Sequence, residues 1–302
     1  MFSYRHGFHA GNHADVLKHL VLVQLLKHLA AKDKPFMAVD THAGAGAYSL
    51  DPGTYAAKNA EYATGISRLW EHGRENSGEN RAENSAERAA KKVKLPEAIT
   101  DYLDQIKAFN PEPALQRYPG SPQLILQMTR AHDPLRFFEL HPAENGVLKE
   151  YFRSNGRRVA VRFEDGFANL KSLLPPPSRR ALVLIDPSYE DKDDYRRVTA
   201  TLREALQRFP TGVYAVWYPQ VRRRESAQMP ELLQRTAGDD WLHLTLTVAA
   251  PPADGYGLYG SGMFVFNPPW QLAAAMRTAM PVLKALLGQD GKAAFEVVGK
   301  QR

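Results

Sequence analysis

Ala181-Leu-Val-Leu-Ile-Asp186-Pro-Ser-Tyr189-Glu190 decides how this chain folds. Five apolar residues in a row, bounded by Pro177 and Pro187, read as a strand buried on both faces, the habit of a parallel sheet. In an open α/β sheet, ligands gather at the carboxyl ends of such strands. This strand delivers a carboxylate, a proline-stiffened turn and an aromatic ring to that edge. Asp186, helped by the Pro187 carbonyl, can hold the N–H groups of an amine whose lone pair is delocalised into a flat π-system. The grip turns that lone pair toward an electrophile. Tyr189 would offer a face for a flat ring to stack on, worth roughly 1–3 kcal/mol. Taken alone, the run is equally a strand end followed by an ordinary turn.

The chain has 302 residues, 44% of them hydrophobic, enough for one α/β domain with an insertion. It has no cysteine, which excludes disulfides, thiolate zinc sites and cysteine nucleophiles. No apolar run is long enough to span a membrane, and Met1 to His6 lacks the apolar core of a signal peptide. A cytoplasmic protein with no membrane partner is expected. The formal charge is +6, and arginines cluster at Arg157-Arg158, Arg179-Arg180, Arg196-Arg197 and Arg222-Arg223-Arg224. Such a surface favours polyanions.

Outward from the central strand, other strands end in acids. Lys34-Pro-Phe-Met-Ala-Val-Asp40 runs into the small-residue loop Thr41-His42-Ala-Gly44-Ala-Gly46. Glycines there let backbone approach a ligand, but the dinucleotide fingerprint needs a third glycine and an immediate helix. Asp-x-x-x-Gly-x-Gly closing a first strand is instead typical of S-adenosylmethionine sites. Leu135-Arg-Phe-Phe-Glu139 and Arg158 to Asp165-Gly166 are further strands of this kind, suited to ribose hydroxyls and an adenine edge. Ser121-Pro122 reads as an N-cap and first helical residue for Gln123 to Arg130. Strands at 212–218, 241–248 and 263–267 complete a seven-stranded mixed sheet, and a last helix runs to about Leu287.

At the amino end, Gly11-Asn12 reads as the cap of a helix whose apolar face is Val16, Leu17, Leu20, Val21 and Leu25. Lys18 and His19 fall in its early turns, where they can border a pocket. His6, His9, His13 and His19 have metal-like spacing, but no cysteine and no carboxylate nearer than Asp15 support them, so no metal is expected. Residues 53–118 read as an insertion: a helix from Lys58 to Trp70, a low-complexity charged segment at 73–94, and an amphipathic helix from Pro96 to Phe109. The expected organisation is core at 1–52, inserted helical subdomain at 53–118, and core again at 119–302.

Asp186-Pro-Ser-Tyr189 is one letter from the Asp/Asn-Pro-Pro-Tyr signature of amino methyltransferases. The run Tyr4-Arg-His to Lys18-His19, with Asp40 to Gly46, Pro119 to Pro122, Phe138-Glu-Leu-His-Pro142, Asp165-Gly166 and Asp186 to Glu190, resembles the bacterial 23S ribosomal RNA adenine-N6 methyltransferase family (RlmJ type). The resemblance covers nearly the whole chain, with Ser188 where the pattern has a second proline. It implies a Rossmann-like class I fold with an inserted small helical subdomain. It also implies methyl transfer from S-adenosyl-L-methionine to one adenine of 23S ribosomal RNA. His19, His42, Gly44, Gly46, Ser121, Glu139, Asp165, Gly166 and Asp186 would line the cofactor pocket. Asp186, Pro187 and Tyr189 would be catalytic, and Tyr4, His6 and Lys18 would meet the RNA.

The motif itself does not choose among adenine N6, cytosine N4 and a glutamine amide, and a silent RNA-binding relative is the reading from another class. Asn267-Pro-Pro-Trp270 fits the signature better letter for letter. Strand direction speaks against it: the seventh strand returns as a hairpin and should release Asn267 at the opposite edge. There Trp270 is expected to pack in a core or on a helix face.

Overall fold

The computed structural model describes residues 5–77, 95–111 and 114–300. Its strands are β1 (Met37–Asp40), β2 (Ala47–Ser49), β3 (Arg117–Pro119), β4 (Leu135–Phe138), β5 (Val159–Arg162), β6 (Ala181–Ile185), β7 (Val213–Gln220), β8 (Trp241–Thr247), β9 (Gly260–Phe266) and β10 (Ala294–Lys300). Eight form one sheet in the order β10-β8-β9-β7-β6-β1-β4-β5, and β2 and β3 form a separate ribbon. The sequence predicts seven strands in the main sheet; β10 is the eighth, antiparallel to β8 on the outer edge.

Five strands run parallel, from β5 through β4, β1 and β6 to β7. The chain leaves β1 for β4 on one side and later returns to β6 on the other, so a crevice opens above β1 at the carboxyl edge. β6 is the anchor of this arrangement. Leu182 and Leu184 face one layer of helices, and Val183 and Ile185 face the other. All four are fully buried, and at roughly 1.5–3 kcal/mol per large apolar side chain their burial contributes about 6–12 kcal/mol gross. That fixes the point from which Asp186 leaves the sheet.

Helix α1 (His13–Ala30) packs across β6, β7 and β9, between the sheet and the helices Glu97–Phe109 and Leu272–Leu287. It is buried on nearly every side, which explains its apolar surroundings at Leu17, Leu20, Leu22 and Leu26. The Asn12 side chain caps it, accepting from the Ala14 and Asp15 N–H groups. The expected single helix over 58–70 is instead three pieces: Tyr55–Asn59, a 3-10 turn Glu61–Thr64, and Ile66–Ser77. The first break falls at the left-handed Ala60 (φ 51°) and the second at Gly65, where a Cβ would collide with the Gly11 carbonyl, and Ile66 N–H donates to that same carbonyl. Residues 73–77 of the charged segment end this helix, and 78–94 lie outside the described residues.

β9 runs antiparallel to β7 and β8, so Asn267 emerges where β7 begins. Its side-chain amide donates to the Pro210 and Gly212 carbonyls, on the edge opposite Asp186. Asn267 therefore leaves the sheet where the hairpin requires. Trp270 does not pack inside as expected; it is 74% exposed.

Candidate active site

Three strand-end acids face the crevice. Asp40 closes β1 and is fully buried; its Oδ2 accepts from the Ser121 hydroxyl at 2.6 Å and its Oδ1 from the His42 N–H at 3.2 Å. Burial, reinforced by the nearby Asp186 charge and opposed by the Ser121 bond, pushes its pKa up to about 6. Ser121 was expected to cap the helix Ser121–Met128, but the cap is Gly120. A buried carboxylate and a helix end compete for one hydroxyl, and the carboxylate, costlier to leave bare, takes it.

Glu139 follows β4. Its Oε2 accepts from Gly44 N–H at 2.7 Å and its Oε1 from His141 N–H at 2.6 Å. Burial raises its pKa despite these two bonds. His42 packs edge-on against Phe167 at 4.6 Å, and burial pushes it down to about 3, so it is neutral. His19 is likewise pushed down to about 3 by burial; its Nδ1 meets the Tyr118 hydroxyl at 2.7 Å. Its Nε2 is buried with no partner among the described residues. A Cβ on Gly166 would collide with the Thr41 carbonyl, so only glycine lets this turn meet the loop after β1.

His19, His42, Gly44, Ser121, Glu139 and Gly166 line one cavity together with Asp186. Two expected cofactor residues stand back from it. The Gly46 carbonyl is spent on Gly120 N–H, and Asp165 caps the short helix Gly166–Asn169 while pairing with Arg197. The lining fits S-adenosylmethionine in kind: an acid after β4 for hydroxyls, a bare glycine turn for a flat ring edge, and a neutral imidazole whose Nε2 has no partner among the described residues, with a helix start without a side-chain cap in the same wall.

A second cavity lies on the other side of Asp186, lined by His9, His13, Glu61, Trp217, Arg223 and Tyr256 among others. His6, Lys18, Asp186, Ser188 and Glu190 line both. Glu61, from the 3-10 turn Glu61–Thr64, joins this wall, accepting from Asn12 Nδ2 at 3.0 Å and meeting His9 Nδ1 at 2.9 Å.

At the junction Lys18 Nζ lies 2.6 Å from Asp186 Oδ2 and 2.8 Å from Asp15 Oδ1. Asp15 also accepts from Gly11 N–H and meets His6 Nε2 at 2.9 Å. Burial alone would lower the Lys18 pKa and raise that of Asp15; the opposite charges win, holding Lys18 above and Asp15 well below their ordinary values. Lys18 was expected to meet the RNA. It lines both cavities, and its ammonium is held between two carboxylates, because a cation this deep needs both.

Tyr189 also differs from expectation. It is 2% exposed, with its ring against Tyr195 at 4.5 Å and its hydroxyl donating to the Trp217 carbonyl at 2.7 Å. Its backbone is left-handed (φ 54°), a strained state that Arg223 braces by donating to the Tyr189 carbonyl at 2.9 Å. The ring is not laid open as a stacking platform. Tyr4 lies outside the described residues. Sequence reasoning missed Tyr118, Trp217 and Arg223, which act on the site only through chain reversals that no local pattern reveals.

A mixed sheet with this strand order and acids at the ends of β1, β4 and β6 defines a Rossmann-like class I methyltransferase. The particular family follows from similarity. The family model described as ribosomal RNA large subunit methyltransferase D, RlmJ, matches residues 33–298, and the chain belongs to that family. It is 42% identical to ribosomal RNA large subunit methyltransferase J of Escherichia coli (strain K12), over 96% of each chain. It is 40% identical to the protein of the same name from Haemophilus influenzae, over 98% of each. The crystal structure of protein LPL1258 from Legionella pneumophila superposes with a TM-score of 0.82 at 32% identity, covering 97% of this chain and 99% of that one.

Proposed function

We propose that the protein transfers a methyl group from S-adenosyl-L-methionine to N6 of one adenine in 23S ribosomal RNA. The observation that carries this reading is the meeting of two cavities at Asp186, one fitted to the cofactor and one rimmed with arginine and aromatic side chains. The names of the full-length relatives point to the same substrate class. When bound, the cofactor supplies a methyl group on an electrophilic sulfonium centre.

His19, His42, Gly44, Ser121, Glu139 and Gly166 are the residues that would hold it. Lys18 occupies Asp186 Oδ2, and Oδ1 takes no hydrogen bond from the described residues. That oxygen, with the Pro187 carbonyl, would accept the two N–H groups of the exocyclic amine. A neutral aryl amine is far too weak an acid for a carboxylate to deprotonate first. Asp186 therefore orients the amine and takes its proton during or after methyl transfer. Most of the acceleration comes from positioning and fixed dipoles. Extruding the adenine costs a few kcal/mol unless the target is already unpaired.

The test is methyl transfer to ribosomal RNA from a strain lacking the modification, followed by nucleoside mass spectrometry. N6-methyladenosine in 23S RNA is expected, and Asp186→Ala should abolish it with folding and cofactor binding intact. Methylation of protein or DNA only, or a folded Asp186→Ala variant with full kcat, would overturn the reading.

A further inference from the structure

Tyr256 is 83% exposed, the most open large apolar side chain among the described residues. It stands between Gly255 and Gly257, both at positive φ (80° and 108°), in the connection from β8 to β9. The loop is nonetheless held. Arg222 Nη1 donates to the Pro252 carbonyl at 3.0 Å and the Ala253 carbonyl at 3.2 Å. Gly255 N–H donates to the same Pro252 carbonyl, and Tyr256 N–H to Asp254 Oδ1 at 3.1 Å. Arg223, the next residue, donates to the carbonyl of Tyr189. One basic turn after β7 thus ties the aromatic loop on one side and the catalytic turn on the other.

Tyr256, Arg222, Arg223 and Asp186 line a single cavity. A ring left in water at the mouth of a cavity, on a loop held by a guanidinium nitrogen, is an unfilled contact rather than packing. The expected stacking ring, Tyr189, is buried, whereas the Tyr256 ring is open to a base. We propose that Tyr256 is a substrate-binding residue that stacks on an unpaired RNA nucleotide at the mouth of the Asp186 cavity, and that Arg222 is the positioning residue that holds its loop. This rests on the proposed methyl transfer to RNA. RNA is favoured over a protein partner because two arginines line the same cavity as the ring and Asp186. Base–aromatic stacking is sequence-tolerant and salt-insensitive, which complements the arginine charge.

The test is filter binding of 23S ribosomal RNA transcribed in vitro, with kcat and KM for transfer measured alongside. Tyr256→Ala should weaken RNA binding and raise KM roughly 5- to 150-fold, the range that stacking of one base spans. Its kcat at saturating RNA should stay within about twofold, and S-adenosylmethionine affinity by calorimetry should not move. Tyr256→Phe and Tyr256→Trp should restore binding, whereas Tyr256→Leu, with apolar bulk but no π face, should not. Arg222→Ala should raise KM without changing kcat. Binding by Tyr256→Ala within about twofold of wild type, or rescue by leucine equal to that by phenylalanine, would overturn the proposal. Wild-type protein that binds RNA but transfers no methyl group would sink the activity, while the affinities of the Tyr256 variants would still decide the stacking. Absence of any RNA binding would refute both.

Discussion

Replacing Lys18 by methionine keeps the length and apolar stem of the side chain and removes only the ammonium. In the structure that ammonium is 2.8 Å from Asp15 and 2.6 Å from Asp186; the Lys18, Asp15 and Asp186 side chains are 5%, 1% and 12% exposed, respectively. Removing one member of a buried ion cluster strands the others, at a cost of roughly 3–5 kcal/mol. At about 2.1 cal/mol/K per residue, a chain of 302 residues has an unfolding entropy of about 0.63 kcal/mol/K, so Tm should fall by roughly 5–8 °C.

Asp186→Asn should cost less, because Lys18 then keeps Asp15. The double variant has one stranded carboxylate instead of two. It should be more stable than the sum of the single effects by roughly 1–3 kcal/mol. Thermal unfolding followed by circular dichroism reads all four proteins. A Lys18→Met protein within about 1 °C of wild type, or strict additivity in the cycle, would refute the buried cluster.

The carboxyl of Asp40 is raised to about 6 in the fold against an ordinary 3.8, so the folded state prefers it protonated. The associated stability is present below about pH 4 and is lost as pH rises through about 6; Asp40→Asn should gain on wild type, by at most roughly 3 kcal/mol, at pH 8 and lose that gain by pH 4 in urea titrations. Gly166→Ala drives a Cβ into the Thr41 carbonyl, so calorimetry should show weakened S-adenosylmethionine binding together with a lower Tm. Asn267→Ala forfeits two hydrogen bonds at a left-handed residue (φ 52°) and should lose roughly 1–3 kcal/mol with the transfer rate per folded molecule unchanged. Trp270→Ala, at 74% exposure, should shift stability by no more than roughly 0.5 kcal/mol.

What was legible in the sequence was whatever a strand carries along its own length. β6 announced itself because a strand covered on both faces must be apolar throughout, and Asp40, Glu139 and Asp186 stood out as acids ending apolar runs. β10 did not, because an edge strand needs only one buried side. Phe295 and Val297 are half-buried, Val298 is exposed, and Gly299 interrupts the pattern. Trp270 misled for a related reason: a large ring beside two prolines reads as packed in a core or on a helix face, yet it stands just before the cap of the last helix and is 74% exposed.

The amino-terminal run was legible as a signature but not as a mechanism. Lys18 looks like any surface cation between His13 and Leu20 until the sheet brings Asp186 beneath it, 168 residues away. Once there, both carboxylates and the ammonium are engaged. His6 and Gly11 satisfy Asp15, Asp15 and Asp186 satisfy Lys18, and His19 leans on Tyr118, which in turn meets the Tyr102 hydroxyl at 2.9 Å. In a low-dielectric interior, changing one such group leaves its neighbour unpaired at a cost of kcal/mol rather than tenths. The density of His, Asp and Lys in this short stretch is therefore the footprint of one hydrogen-bonded network, and it ends at Asp186, whose Oδ2 it holds through Lys18.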